Sequence, residues 1–335
     1  MSSRVTRDLS NLFHLALFGN QVTSQLKNKF PMASLNRVLF LVFVSVLITA
    51  CMSLKTDIAP LPETYHADLE QWKEQRVETL KGPTNWLRLE GIYWMSEGEN
   101  SFGSGEDQDL ILPEGTIPAH AGVMILNEGV TTMRVAEGVQ ILHNGEPVTE
   151  MVMYDGGERY RAEHENLEWF IDNRGDTYGL RLYNKENPKA DAFEGFPAYP
   201  VNPDWHLHAE FVPNSDSLSI ILDNVIGEQV ERYSPGRIRF TAEGERVELI
   251  AFEANSGLFI MFSDRTKETE TYHAGRYLII PFPDENGRTI IDFNRAYNPP
   301  CAFNIYTTCQ LPPPGNRLDL MVTAGEKRPV EWQGL

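Results

Sequence analysis

The chain has 335 residues, of which 41% are hydrophobic and 23% charged; these ordinary values exclude wholesale disorder and leave room for one large or two modest domains. Its net charge is −18, and residues 1–51 hold five basic residues against one acid, so the remainder, with 24 basic and 46 acidic residues, carries −22. So acidic a body repels phosphate backbones and anionic lipid alike, which excludes nucleic acid as a partner and requires any membrane attachment to be covalent.

Asn36-Arg37 precedes the apolar run Val38 to Ile48, which ends in Thr49-Ala50-Cys51. The run falls short of the roughly 20 apolar residues needed to span a bilayer, yet suits the apolar stretch of a secretory signal. Ile48-Thr49-Ala50-Cys51 resembles the lipobox of bacterial lipoproteins. The resemblance implies that Cys51 receives a diacylglyceryl group and that the leader is cut on its N-terminal side. The expected product is a protein held to the envelope by its lipid, and Met52, in place of Asp, implies outer-membrane sorting, facing the periplasm, in a Gram-negative host. Met32 opens a complete basic segment of its own, Met32 to Arg37, so translation is expected to begin there.

Residues 52–62 read as a tether containing Pro60 and Pro62. Tyr65, Leu69, Trp72 and Leu80 then fall at helical spacing, and Gly82-Pro83 stops the helix, whose apolar stripe is expected to pack on a sheet. From Trp86 the pattern changes to short apolar or alternating runs separated by turn residues, as in an antiparallel β-sandwich or barrel. Ile141-Leu142-His143 meets Asn144-Gly145, the strongest hairpin signal in the chain. The expected architecture is therefore mainly β, with one N-terminal helix and a Pro-rich C-terminal loop region. A division near residue 160 separates the helix and first β-rich part (63–160) from a second β-rich part (161–330).

Phe102-Gly103-Ser104 through Leu112, with His120 beyond, looks faintly like a forkhead-associated β-sandwich. Ser104 stands where that family places its phosphothreonine-binding arginine, so the likeness extends to the fold and not to peptide binding. His206 and His208 flank Leu207 and share a strand face, which alone is too few ligands for a metal; neither metal nor cofactor is called for.

The last quarter is the most distinctive part. Phe262-Ser263-Asp264-Arg265-Thr266, Thr271 to Leu278, Asp292 to Phe303, Asn316-Arg317-Leu318 and Ala324-Gly325-Glu326-Lys327 occur in that order. These blocks, with Trp86 to Trp94 and Phe193-Glu194-Gly195-Phe196, resemble the bacterial family known as domain of unknown function 1684. The resemblance spans about residues 65–328 and implies no activity. Within it, Asp264, Tyr272, Arg276, Asp292, Asn294, Arg295, Asn298, Asn316, Arg317 and Glu326 concentrate hydrogen-bonding groups, three of them guanidinium forks suited to carboxylate or phosphate. Asp292 and Asn294 at strand period share one face, with Phe293 on the other.

Two readings follow: a pocket for a small polar or anionic ligand, or an internal network that braces the loops. An alternative hydrolase would use Asp264, Tyr272 or Asp292 beside the arginines. In an oxidising compartment Cys301 and Cys309 would close a small loop as a disulfide; otherwise they are free buried thiols.

Overall fold

The structure, a computed structural model, describes residues 55–329. Cys51 and the leader lie outside the described residues, and no described helix is long and apolar enough to cross a membrane. The helix read from the spacing of apolar residues is present as α1 (Tyr65–Lys81). Tyr65, Leu69 and Leu80 are buried along it, while Trp72, expected in the same stripe, is only half-buried.

The first β region comprises β1 (Leu89–Trp94), β2 (Gly98–Gly103), β3 (Leu110–Ile111), β4 (Gly122–Asn127), β5 (Val130–Val135), β6 (Ile141–His143), β7 (Glu146–Val148), β8 (Glu150–Tyr154), β9 (Ala162–His164), β10 (Leu167–Arg174) and β11 (Thr177–Asn184). They form two sheets, ordered β1-β11-β10-β9-β6-β7 and β3-β2-β4-β5-β8. The inward residues of both sheets share one core around Phe102, Met124, Met133, Trp169 and Leu182. Asn144 and Gly145 connect β6 to β7 with φ of 50° and 82°, the left-handed pair that a two-residue hairpin turn requires and that Asn-Gly adopts at low cost. Strands β9 to β11 complete the sheet that β1 begins, so the division placed at residue 160 falls inside this sandwich. Pairing of β1 with β11, some ninety residues apart, decides it.

After a short helix α2 (Pro188–Ala192), the second region contains β12 (His206–Asp223), β13 (Gln229–Ala242), β14 (Glu245–Ala254), β15 (Gly257–Phe262), β16 (Arg276–Ile280) and β17 (Arg288–Asp292). Their order is β16-β15-β14-β13-β12-β17, all antiparallel, and the two edge strands approach one another to give a half-barrel. Alternation along β13 and β14 sends Ile238, Phe240, Leu249 and Ala251 into its interior. Phe293, directly after β17, closes the interior against the rings of Trp205, Phe240 and Phe262, with centroids 5.5, 5.7 and 5.2 Å away. Helix α1 crosses the outside of this region: Leu80 packs with Ala190, Phe193, Ala302 and Phe303 in a smaller core. The helix thus faces loops, with only part of its length over the sheet.

Candidate functional site

Asp264 and Arg276 form the most deeply buried charged pair described, each side chain 1% exposed, with Arg276 Nη2 donating to Asp264 Oδ2 at 2.8 Å. Asp264 Oδ1 also accepts from the Thr266 amide (2.9 Å), the Thr266 hydroxyl (2.6 Å) and the Val322 amide (3.3 Å). Arg276 Nη1 and Nη2 also donate to the carbonyls of Val322, Ala324 and Glu326, while its Nε is buried without a hydrogen-bond partner. The Asp264–Arg276 pair therefore ties the backbone of the C-terminal segment to β16.

That segment delivers Glu326. Gly325, at φ 78°, lies so close to the loop after β17 that a Cβ would stand 2.6 Å from the Ala296 carbonyl oxygen and 2.7 Å from that of Phe293. Only glycine allows the turn and the approach together. Glu326 accepts the Asn298 amide at 2.7 Å and its side-chain Nδ2 at 3.0 Å, and is ion-paired to Arg76 of α1. Burial pushes the Glu326 carboxyl above its ordinary range, against the opposing pull of Arg76 and the Asn298 amide. The Arg76 guanidinium lies between the rings of Phe196 and Tyr297, 4.7 and 4.4 Å from their centroids.

At the end of β17 the expected strand period gives way to a 3₁₀ turn, Phe293–Arg295, capped by the Asp292 carboxylate. Asp292 and Asn294 still meet, because Asp292 Oδ1 accepts both the amide and the side-chain Nδ2 of Asn294 at 3.0 Å. Tyr65 of α1 donates its hydroxyl to Asp292 as well, at 2.9 Å to Oδ2. Asn294 also exchanges two bonds with the backbone of Asn202.

Arg295 is different. Its Nε stands 3.6 Å from Asp292 Oδ2, beyond hydrogen-bonding range, and its guanidinium makes no hydrogen bond among the described residues. It faces the Trp72 ring, 5.7 Å from the centroid, across an open cavity of about 430 Å³. Arg76, Trp86, Leu80, Ile279 and Tyr297 also line this cavity. Burial pushes the Tyr297 phenol up to about 12, so its hydroxyl keeps its proton at neutral pH.

The other predicted residues are structural. Asn316 is fully buried, donating to the Ile250 and Met261 carbonyls and accepting the Ile250 amide, which laces β14 to β15. Arg317 is exposed and only its backbone bridges to Ser263. Tyr272 donates to the Cys301 carbonyl at 2.9 Å. Asp264, Tyr272 and Asp292 are thus each hydrogen-bonded to internal partners. His206 is buried and bonds the Ala59 carbonyl through Nδ1, while His208 is exposed; among the described residues no group of three metal-ligating side chains is gathered.

Cys301 and Cys309 are close but free, in place of the disulfide expected for an oxidising compartment. The Cys301 amide donates to Cys309 Sγ at 2.9 Å, so the loop closes through a hydrogen bond. The Cys309 thiol holds Cys301 low by hydrogen bonding, while burial pushes Cys309 up. Cys301 should therefore be alkylated well before Cys309 in the native protein, as time-resolved iodoacetamide labelling and peptide mass mapping will read. Equal rates, or two thiols that resist labelling until reduction, would contradict this assignment.

The ten predicted polar residues all lie within 264–326. The family model described as "Protein of unknown function (DUF1684)" matches residues 191–327. Over these residues the chain belongs to the DUF1684 family. The DUF1684 segment begins at the end of α2 and comprises the half-barrel and the loops that follow, whereas the Trp86 to Trp94 block and the sandwich lie outside the match. Among solved structures, the solution NMR structure of the uncharacterized protein from gene locus rrnAC0354 of Haloarcula marismortui is 31% identical, over 43% of this chain and 81% of that one, with a TM-score of 0.36. No curated protein matches the chain.

Two residues central to the site, Arg76 and Tyr65, come from α1, outside the DUF1684 match. Sequence reasoning placed Tyr65 in an apolar stripe and passed over Arg76. Its one signal is a basic residue between the apolar positions Trp72 and Leu80, on the side that the stripe turns inward.

Proposed function

We propose that this protein is an exported, lipid-anchored binding protein that holds a small organic anion with an apolar or aromatic body in the cavity between α1 and the loop after β17. The observation that carries this reading is the guanidinium of Arg295, which is only loosely paired with Asp292 and makes no hydrogen bond among the described residues. Arg276 and Arg76 donate hydrogen bonds to acids and carbonyls, whereas Arg295, beside Asp292 at 3.6 Å, makes none among the described residues and stands at the wall of a cavity. A carboxylate is the natural complement of such a fork. Trp72, Trp86 and Leu80 supply apolar surface for the rest of the molecule, and the Tyr297 hydroxyl is a protonated donor beside them. The compartment rests on the leader and on Cys51, whose lipidation the intact mass of protein extracted from membranes will test.

The binding test uses the full chain in detergent and a panel of aryl carboxylates, with phenylacetate and indole-3-acetate against their amides. Carboxylates should raise the melting temperature and the amides should not. Arg295→Ala should abolish the shift while leaving the unliganded melting temperature little changed, because a half-exposed, loosely paired arginine contributes only about 0–1 kcal/mol to folding. If Arg295→Ala unfolds the protein, or if no carboxylate shifts the wild type, the pocket reading fails and the network is purely a brace.

A further inference from the structure

Cys301 and Cys309 are the two cysteines among the described residues, and neither lines the cavity at Arg295. Their loop is held shut by bonds that need no covalent link. The Cys301 amide donates to Cys309 Sγ at 2.9 Å, and Tyr272 donates its hydroxyl to the Cys301 carbonyl at 2.9 Å. At the other end the Cys309 carbonyl accepts the Val225 amide, and the Gln310 carbonyl accepts the Tyr277 hydroxyl, both at 3.0 Å. Midway along the loop, Asn304 donates to the carbonyls of Trp86 and Leu89 at 3.1 and 2.8 Å. The two thiols are therefore kept side by side in the reduced protein, on a backbone fixed at both ends.

The sulfurs differ in access. Cys309 is 3% exposed and packs with Leu222, Phe252, Met261 and Tyr277, whereas Cys301 is only partly buried. Hydrogen bonding from the Cys309 thiol also holds Cys301 below the usual thiol range, and burial pushes Cys309 up. An accessible, more acidic thiol beside a protected one is the arrangement in which the first is oxidised and the second resolves it.

We propose that Cys301 and Cys309 form a peroxide-reactive dithiol site, with Cys301 as the attacking sulfur and Cys309 as the resolving one. The Cys301 thiolate attacks one oxygen of hydrogen peroxide. An S–O bond forms, the O–O bond breaks, and the leaving hydroxide takes up the proton that Cys301 gave up. The Cys309 sulfur then attacks the sulfenic sulfur of Cys301. The S–S bond forms as the S–O bond breaks, and the hydroxyl leaves with the Cys309 proton as water. Two thiols lose two electrons to become one disulfide, and the peroxide is reduced to two waters. Because the loop ends are already held, the bond can form and be reduced again with little movement of the loop. The pair is thus a reversible couple and not a permanent staple. A sulfur that is only partly exposed favours this compact oxidant over a bulky disulfide.

The test starts from the full chain, reduced and freed of reductant, then exposed to a small excess of hydrogen peroxide and blocked with iodoacetamide. Both cysteines lie between Arg295 and Arg317 with no basic residue between them, so chymotrypsin, cutting after Phe303 and Tyr306, separates them for mass mapping. The wild type should show a Cys301–Cys309 link that dithiothreitol reverses. Cys309→Ala should instead accumulate a sulfenic acid on Cys301, trapped as its dimedone adduct. Cys301→Ala should leave Cys309 reduced, with oxidation at least roughly tenfold slower than in the wild type. The wild-type result decides by itself if either variant does not fold. The inference is overturned if both wild-type thiols stay alkylatable under peroxide that oxidises free cysteine. It is equally overturned if Cys301 passes to sulfinic acid with no linked peptide, or if Cys309 in Cys301→Ala is oxidised as fast as in the wild type.

Discussion

Replacing Arg276 with methionine should cost about 3–5 kcal/mol of folding stability, read as a fall in the urea midpoint at unchanged slope. The magnitude follows from what stays behind. Asp264 would keep the Thr266 and Val322 donors but lose its only cation, at a site where its side chain is 1% exposed. The carbonyls of Val322, Ala324 and Glu326 would lose their shared donor in the same step. A double variant, Arg276→Met with Asp264→Asn, should be more stable than Arg276→Met alone. The asparagine removes the stranded charge and can still accept the Thr266 amide. Such non-additivity is the mark of a directly coupled pair. A loss below about 1 kcal/mol for Arg276→Met would mean that the segment is held by its backbone and apolar contacts instead.

The residues of this pair were visible in the sequence; their partners were not. Asp264 and Arg276 stood out as polar groups in a distinctive block, but nothing in their spacing says whether a guanidinium faces solvent, a ligand or a carbonyl. The same ambiguity covers Arg295 and Arg317, which resemble each other in sequence and differ completely in place. Local chemistry was far more legible. The Asn144-Gly145 hairpin and the α1 helix follow from turn conformation and apolar spacing, which involve only near neighbours.

What depends on distant pairing stayed hidden. The β1–β11 register carries the sandwich past residue 160, and Arg76 meets Glu326 across 250 positions of sequence. Arg181 shows an intermediate case. Set between Leu180 and Leu182 on β11, it announces a charge on the face opposite two core residues. That signal was available, yet a charged outer face is the ordinary state of a half-buried strand. Only the structure shows Arg159 and Arg174 converging with it on the Asp172 carboxylate.

Arg76→Met should destabilise the protein by about 3 kcal/mol at pH 7.5, and by clearly less at pH 5. The difference comes from Glu326. Burial already holds its carboxyl above the ordinary value of 4.5, with Arg76 as the strongest opposing influence. Without Arg76 the folded-state value rises further, while the unfolded chain titrates near the ordinary one. A group raised on folding contributes most below its unfolded value, where both states are protonated or the folded state gains the proton. That contribution is lost as pH climbs through the window up to the folded value, at a slope of at most about 1.4 kcal/mol per pH unit. The variant's urea midpoint should therefore fall more steeply than the wild type's between pH 5 and 8. Adding Glu326→Gln removes the titrating group, so the double variant should lose the extra slope and regain stability at pH 7.5. Parallel pH profiles for Arg76→Met and the wild type would show that Glu326 is not the group that Arg76 neutralises. In that case the clamp between α1 and the C-terminal segment must rest on Tyr65 with Asp292 and on the stacking of Arg76 between Phe196 and Tyr297.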